Sequence, residues 1–193
     1  PSKTIFPDQQ FGLGVITSSF DYREPGYSQS SGNLYGIQGS YTNYFFLNER
    51  QIIFDINGSY QTGYVSYQGQ VINTQSQARN PYSIDKEQHS ISEFNTNIGV
   101  AIDSSLVTMI PMIGFNYYYL VDYDDPDPAD YRRDQYYYTV PLTFAISYDS
   151  SWGQWKHYFV LHEFFTGKNQ SQLPGVGRLT FDQDTGVGWA LKT

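Results

Sequence analysis

Residues 52–64 read Ile52-Ile53-Phe54-Asp55-Ile56-Asn57-Gly58-Ser59-Tyr60-Gln61-Thr62-Gly63-Tyr64. Mostly large apolar side chains fill the even positions, and mostly small or polar ones fill the odd positions. Successive side chains of a β-strand point to opposite faces, so this period of two predicts a strand with one apolar face. The same alternation runs through 35–42, 93–102, 107–119 and 136–148, without a comparable helical stripe. The sequence therefore predicts an all-β protein.

Eight strands are predicted between turn-forming residues. Their approximate bounds are 11–22, 33–46, 50–67, 89–103, 106–121, 135–148, 154–166 and 179–192. Short turns alternate with long polar loops at 23–32, 68–88, 122–134 and 167–178. All long loops therefore lie at one end, and the short turns and both termini at the other, as in outer-membrane barrels. We expect one domain, 1–193, forming a closed antiparallel up-and-down transmembrane β-barrel with a polar lumen filled by side chains.

Irregular strand pairing is expected at three places. In the first strand Leu13 and Ile16 lie on opposite parities although both are apolar, which predicts a β-bulge among Gly12, Gly14 and the Thr-Ser-Ser run at 17–19. Pro111 and Pro141 fall inside strands and have no N–H to donate to a ladder. A local bulge at each proline, or a barrel slightly open at those rungs, is therefore expected.

The volume of the apolar side chains decides which face of the barrel points outward. Roughly thirty large side chains share the apolar parity, whereas an eight-stranded barrel has an interior only just wide enough for packed side chains. The opposite parity supplies small polar residues such as Asn57, Asn97 and Thr143, which fit that interior. We therefore expect the apolar parity to face lipid. The predicted lipid-facing residues are Phe54, Ile98, Phe115, Leu142, Phe144 and Phe159.

Aromatic residues collect at both ends of this apolar parity. Phe, Trp and Tyr make up 18% of the chain, and 19 residues are Tyr, whose ring and hydroxyl suit a boundary between hydrocarbon and water. The predicted aromatic girdles comprise Tyr60, Tyr64, Tyr117, Tyr119, Tyr136, Tyr138, Tyr148, Trp155 and Trp189. Two girdles around an aliphatic band are typical of membrane barrels.

Charge and cysteine content exclude several classes of protein. The formal net charge of −8 argues against a nucleic-acid-binding surface, which is basic. The chain has no cysteine, so thiolate metal sites and disulfides are excluded. No run of about 18 apolar residues marks a transmembrane helix. No cofactor is expected.

Segments Gly12-Leu13-Gly14, Phe20-Asp21-Tyr22 and Pro111-Met112-Ile113-Gly114, with the strand count and loop asymmetry, resemble the small OmpA-type outer-membrane barrels. The resemblance covers nearly all of the chain and is architectural, so it carries over no functional residue. It implies a Gram-negative outer-membrane protein with periplasmic termini. Lipid and lipopolysaccharide are the partners implied.

Four ionisable residues are predicted to point into the lumen: Asp55, Glu93, Lys156 and His162. Buried charges must be paired or hydrated. We expect Asp55 to pair with Lys156 and Glu93 with His162, forming a polar network that blocks conduction. A proton path or a catalytic dyad is the alternative.

The acidic run from Asp122 to Asp130 is interpreted as a solvated external loop. Weak candidates for divalent metal binding are Asp124, Asp125, Asp127 and Asp130, although the run lacks EF-hand spacing. Arg132 and Arg133 are expected to pair with these acids or with lipopolysaccharide phosphates. His89 is interpreted as an interfacial residue.

The favoured function is a structural or adhesive surface protein, with binding specificity in loops 68–88 and 122–134 and no open pore. The alternatives are a lipid-modifying outer-membrane enzyme, a narrow channel and a soluble lipocalin-like carrier. For the enzyme, only His162, Glu163 and Ser171 offer the right types, and adjacent His and Glu on a strand point to opposite faces. No catalytic residue is therefore assigned.

Overall fold

The computed structural model describes residues 9–24, 28–72, 79–104, 106–124, 132–150, 153–173, 177–183 and 186–192. The strands are β1 Gln9–Glu24, β2 Ser28–Leu47, β3 Arg50–Ile72, β4 Arg79–Val100, β5 Ile102–Asp103, β6 Thr108–Asp124, β7 Arg132–Ser150, β8 Gly153–Leu173, β9 Gly177–Gln183 and β10 Gly186–Lys192. These ranges contain no helix long and apolar enough to cross a membrane.

Every strand pairs antiparallel with its neighbour in the order β1-β2-β3-β4-β6-β7-β8-β10. The short β5 continues the pairing of β4 with β6, and β9 pairs with β8 beyond β10. The eight predicted strands are therefore present: the fourth is split into β4 and β5, and the last is described as β9 and β10 on either side of residues 184–185. The predicted all-β, up-and-down antiparallel topology is confirmed.

The predicted closure of the sheet is not found. Within the described residues no ladder joins β1 to β9 or β10, so the sheet has two edges. At the last edge β9 and β10 pair with β8 in one register, Gln183 with Gly167 and Gly186 with Phe164, and residues 184–185 between them lie outside the described ones. Alternation of side chains reports the two faces of a strand and not which strands pair, so the sequence pattern alone could not establish a ladder between the first and last strands.

The strands at the loop side are longer than predicted. β3 reaches Ile72 and β4 begins at Arg79, so most of the predicted loop 68–88 is a paired hairpin. Likewise β6 ends at Asp124 and β7 begins at Arg132, inside the predicted loop 122–134. These extensions are mostly polar, with apolar residues such as buried Ile84 only in places, so they lack the sustained alternation that reveals a strand. Backbone hydrogen bonds continue there without it.

The bulges expected in the first strand and at the two prolines are absent. β1 and β2 pair without a register shift from Gln9 to Glu24, so the bulge predicted in the first strand is wrong. Pro111 also pairs in register, with Phe144. Pro141 pairs in register with His162, and the β7–β8 register shifts two residues away, between Tyr138 and Thr139, with the extra residue on β8. Toward β6 the ladder has no pair between Ile113–Leu142 and Asn116–Thr139, so the strands are locally open at Pro141 rather than bulged.

The two faces of the sheet differ in burial. We call the face that carries the buried side chains the inward face, and its opposite the outward face. Adjacent residues show the contrast, since Asn97 is 9% exposed and Ile98 is 50% exposed. The inward face is therefore the more polar, and the outward face carries the large apolar side chains.

Two apolar clusters lie on the inward face. The turn-side cluster consists of Tyr44, Ile53, Ile110 and Ala145, and the loop-side cluster of Leu34, Val65, Ile91 and Leu120. Phe20 packs against the loop-side cluster, which explains why its parity differs from that of outward Leu13. A cavity of about 760 Å³ opens on the inward face between these levels, lined by residues of seven strands from β1 to β8.

Candidate functional site

The outward face carries the residues that the sequence analysis expected to contact lipid. Five of them are between 41% and 50% exposed, namely Ile98, Phe115, Leu142, Phe144 and Phe159, and Phe54 is partly buried. Exposing such a surface to water costs about 25 cal/mol of free energy per Å² of apolar area. An apolar patch of this extent marks a surface that contacts lipid or another protein.

Tyrosines border this outward apolar surface on the loop side. The rings of Tyr117, Tyr119, Tyr136 and Tyr138 lie against one another, with centroids 5.2 to 6.4 Å apart. Tyr60 and Tyr64 are exposed on β3, and Tyr148 is exposed at the turn side. The side chains of Trp155 and Trp189, also predicted for the girdles, lie outside those described.

The hydroxyls at this border reach polar groups farther toward the loops. Tyr119 donates to the Asp134 carboxylate at 2.7 Å, and Tyr123 donates to the Gln88 side-chain oxygen at 2.6 Å. Asp134 also accepts hydrogen bonds from Arg132. Although burial acts in the opposite direction, the hydrogen bonds from Arg132 and Tyr119 lower the pKa of Asp134. The aromatic rings therefore lie on one side of this border, and the charged groups lie on its loop side.

Asp55 lies in the cavity, as the sequence analysis expected, and three neutral groups hold it. Thr42 donates to one carboxylate oxygen at 2.8 Å, and Asn57 and Asn97 approach the other at 3.1 and 3.5 Å. Glu93 also lines the cavity. The side chains of Lys156 and His162, the predicted partners of the two acids, lie outside those described.

A second polar cluster lies on the inward face at the loop side, and we call it the His89 cluster: Glu87, His89, Asp122 and Arg133. Glu87 and His89 are two residues apart on β4 and therefore share a face. Asp122 on β6 pairs directly with His89, and Arg133 on β7 pairs with Asp122. Three adjacent strands thus bring the four side chains together.

Distances within the His89 cluster are those of direct contact. The His89 Nε2 atom lies 3.2 Å from a Glu87 oxygen and 3.6 Å from a carboxylate oxygen of Asp122. The Arg133 guanidinium donates to that same Asp122 oxygen. His89 and Asp122 are fully buried, and Phe20 covers His89 edge-on with ring centroids 4.8 Å apart.

Burial shapes the electrostatics of this cluster. It raises the pKa of Asp122, although the Arg133 guanidinium and His89 favour the charged form. Several side-chain atoms have no hydrogen-bond partner within the described part of the chain, namely Glu87 Oε2, His89 Nδ1, His89 Nε2 and Asp122 Oδ1. Buried polar atoms in this state are rare in native proteins, and each needs a reason.

Sequence reasoning missed the His89 cluster and misplaced two of its members. His89 was expected at an interface and Asp122 in a solvated loop, but both lie on the inward face because β4 and β6 extend farther than predicted. The pairing of Arg133 with an acid of the run is confirmed. The sequence did contain a signal for the cluster, because Glu93, His89 and Glu87 have the same parity as Asn97 and are also polar.

The other candidates are not assembled by the described residues. Asp125, Asp127 and Asp130 and the side chain of Asp124, proposed as weak metal ligands, lie outside them. Glu163 is exposed on the outward face, so the structure does not bring it to Ser171, which is partly buried on the inward face.

Comparison with protein-family models, with curated proteins and with solved structures gave no match for this chain. Two features of the molecule itself remain as functional sites: the outward apolar surface bordered by tyrosines, and the buried His89 cluster.

Proposed function

We propose that this chain is a bacterial outer-membrane surface protein, with its termini and short turns in the periplasm and its long hairpins outside the cell. One observation carries the proposal: large apolar side chains are exposed on the outward face while small polar ones are buried on the inward face. A soluble β-barrel has the opposite arrangement, with its apolar parity inside.

The extent of the outward apolar surface supports a membrane span. On β7 it runs from Tyr136 to Tyr148, and along β4 and β5 from Phe94 to Ile102, which are 13 and 9 residues. A strand at the usual tilt needs about 9–11 residues to cross the hydrocarbon core. We take these segments as membrane-spanning, so Arg132, Asp134 and the His89 cluster lie outside them on the loop side.

Closure of the sheet in the membrane is part of the proposal. The edge strand β1 exposes Phe11, Leu13 and Val15 at 78%, 90% and 85%, the surface expected to face acyl chains. Unpaired N–H and C=O groups cost several kcal/mol each in hydrocarbon, so spanning sheets close on themselves. In lipid, β1 would therefore pair with the last strand of the chain.

The inward face favours a scaffold over a pore. The turn-side and loop-side apolar clusters lie at two levels, and the cavity lies between them. Ions crossing such a lumen would have to pass two apolar layers. We therefore assign no conductance, and place recognition on the polar hairpins beyond the tyrosine border, above all the β3–β4 hairpin and the segment between β6 and β7.

Membrane insertion can be tested by flotation with phosphatidylcholine vesicles. The refolded chain should float with the vesicles and give no ion conductance in planar bilayers. The double variant F115D/F144D on the outward surface should not float, whereas S31D/S66D on the polar hairpins should float normally. A chain that stays monodisperse without detergent and does not float would contradict the proposal, and regular conductance steps would contradict the blocked lumen.

Orientation can be tested in cells, because the chain has no native cysteine. Ser83 is exposed on the β3–β4 hairpin, and Leu106 is 84% exposed at a short turn. A membrane-impermeant maleimide should label S83C on intact Gram-negative cells, and L106C only after the outer membrane is permeabilised. Labelling of L106C alone on intact cells would reverse the assigned orientation.

A further inference from the structure

We infer that Glu87, His89 and Asp122 form a binding site for one divalent transition-metal cation, with Zn²⁺ as the reference ion. The inference does not depend on membrane insertion, because it concerns three side chains on two paired strands. It differs from the metal candidates of the sequence, which lie farther along the acidic run.

The spacing of the three side chains suits a tetrahedral ion. With Zn–N and Zn–O distances of about 2.0–2.1 Å, two ligand atoms of a tetrahedral site lie about 3.3 Å apart. The His89 Nε2 atom lies 3.2 Å from Glu87 and 3.6 Å from Asp122, and one ligand atom from each of the three residues lies within 4.8 Å of the others. Admitting an ion would draw the most separated pair of ligand atoms, which lie up to 4.8 Å apart, together by about 1.5 Å.

Unsatisfied atoms point to a missing ligand. Glu87 Oε2, both ring nitrogens of His89 and Asp122 Oδ1 are buried and make no hydrogen bond to the described residues. An imidazolium held only by salt bridges would direct an N–H at a carboxylate, but Nε2 makes no hydrogen bond in spite of the short distances. Carboxylate oxygens that lie close to Nε2 but off its N–H direction are placed as the ligands of one shared ion would be.

Charge supports a cation at this centre. Among the described residues of the cluster, two buried carboxylates, Glu87 and Asp122, face one guanidinium, Arg133, so carboxylates outnumber the guanidinium around His89. A buried charge without a partner is strongly unfavourable. Arg133 binds Oδ2 of Asp122, the oxygen 3.6 Å from His89 Nε2, and Oδ1 has no hydrogen-bond partner among the described residues, so the Asp122 carboxylate retains lone pairs for an ion.

The ligand types select the class of metal. Imidazole nitrogen with carboxylate oxygens suits Zn²⁺ and the neighbouring first-row ions, whereas Ca²⁺ and Mg²⁺ prefer oxygen ligands alone. Three protein ligands leave one position of a tetrahedral ion for water. Since Glu87 and His89 come from β4 and Asp122 from β6, the ion would join these two strands at the loop side of the sheet.

The test uses the full-length, tag-free chain in detergent, stripped with a chelator and dialysed against Zn²⁺. We expect one Zn²⁺ per chain, retention of binding in excess Ca²⁺, and a tetrahedral visible spectrum with Co²⁺. The variants H89Q, E87Q and D122N should each weaken Zn²⁺ binding by more than about 100-fold. This exceeds the loss caused by removing a residue that only hydrogen-bonds to a metal ligand. The matched control is H157Q, at a histidine that stacks on Tyr148 away from the cluster.

The fold of each variant is checked by far-ultraviolet circular dichroism, and the wild-type measurements stand without the variants. A wild-type chain that binds no Zn²⁺ would overturn the inference and leave the cluster as an internal salt-bridge network. Equal loss of binding in H157Q, or unchanged binding in folded H89Q, would overturn it as well.

Discussion

Arginine at the centre of the outward surface should destabilise the protein by an amount that depends on whether that surface meets lipid. On β7 the outward residues run from Tyr136 to Tyr148, with Leu142 six residues from either end. At about 3.3 Å per residue and a tilt of about 45°, this row spans roughly 28 Å across the membrane. Leu142 would therefore lie near the bilayer midplane.

The expected magnitude follows from that depth. Arginine on the lipid face of a barrel costs about 2–4 kcal/mol at the midplane and about 0–1 kcal/mol near the interface. On a surface in water the same substitution is usually within about 0.5 kcal/mol. Leu142 is 46% exposed, so a water-facing reading predicts almost no effect of L142R.

Urea unfolding of the chain in lipid vesicles measures the difference, with the fluorescence of the three tryptophans as the signal. L142R should lower the free energy of unfolding by about 2–4 kcal/mol. The control S31R lies on the outward face of β2 in the polar loop-side region and should change it by less than about 1 kcal/mol. Equal unfolding curves for L142R and S31R would refute the placement of Leu142 in hydrocarbon.

Two further predictions concern the sheet and its border. A Cβ at Gly36 would collide with the backbone of Tyr60, whereas the nearest atom to a Cβ at Gly39 is 3.8 Å away. In urea unfolding, G36A should therefore lower the free energy of unfolding by about 1–3 kcal/mol, and G39A should leave it unchanged. Because the pKa of Asp134 is lowered, its stabilising effect is present above the ordinary carboxyl pKa and disappears as the pH falls through the lowered value. D134N should therefore lower the free energy of unfolding at pH 7 by less than about 1 kcal/mol, since Arg132 is half exposed. The unfolding curves of D134N and wild type should coincide at acid pH. A difference that stays constant with pH would contradict an effect of the Asp134 charge.

The strand topology followed from the sequence wherever one face is apolar. The alternation in residues 52–64 and 136–148 reports a difference between two environments, and these segments are strands with the expected face exposed. Beyond the tyrosine border polar residues predominate on both faces, so the sustained alternation ends although the ladder continues to Ile72 and Asp124. The predicted loops were too long for this reason.

The His89 cluster could not be found from one segment alone. Its members come from β4, β6 and β7, and only the cross-strand register brings His89 opposite Asp122 and Asp122 opposite Arg133. The sequence offers the inward parity of Glu87 and His89, but a strand had to be assigned there before that parity could be read. Register depends on long-range pairing, which local alternation does not specify.

Sidedness is tested most directly by fluorescent labels on single cysteines at adjacent positions in vesicles. The pairs are Asn97 with Ile98 and Thr143 with Phe144, each joining a buried inward residue to an exposed outward one. Lipids brominated along their acyl chains should quench labels on I98C and F144C strongly and those on N97C and T143C weakly. Stronger quenching of N97C and T143C, or no quenching at any of the four positions, would contradict an outward face in contact with lipid.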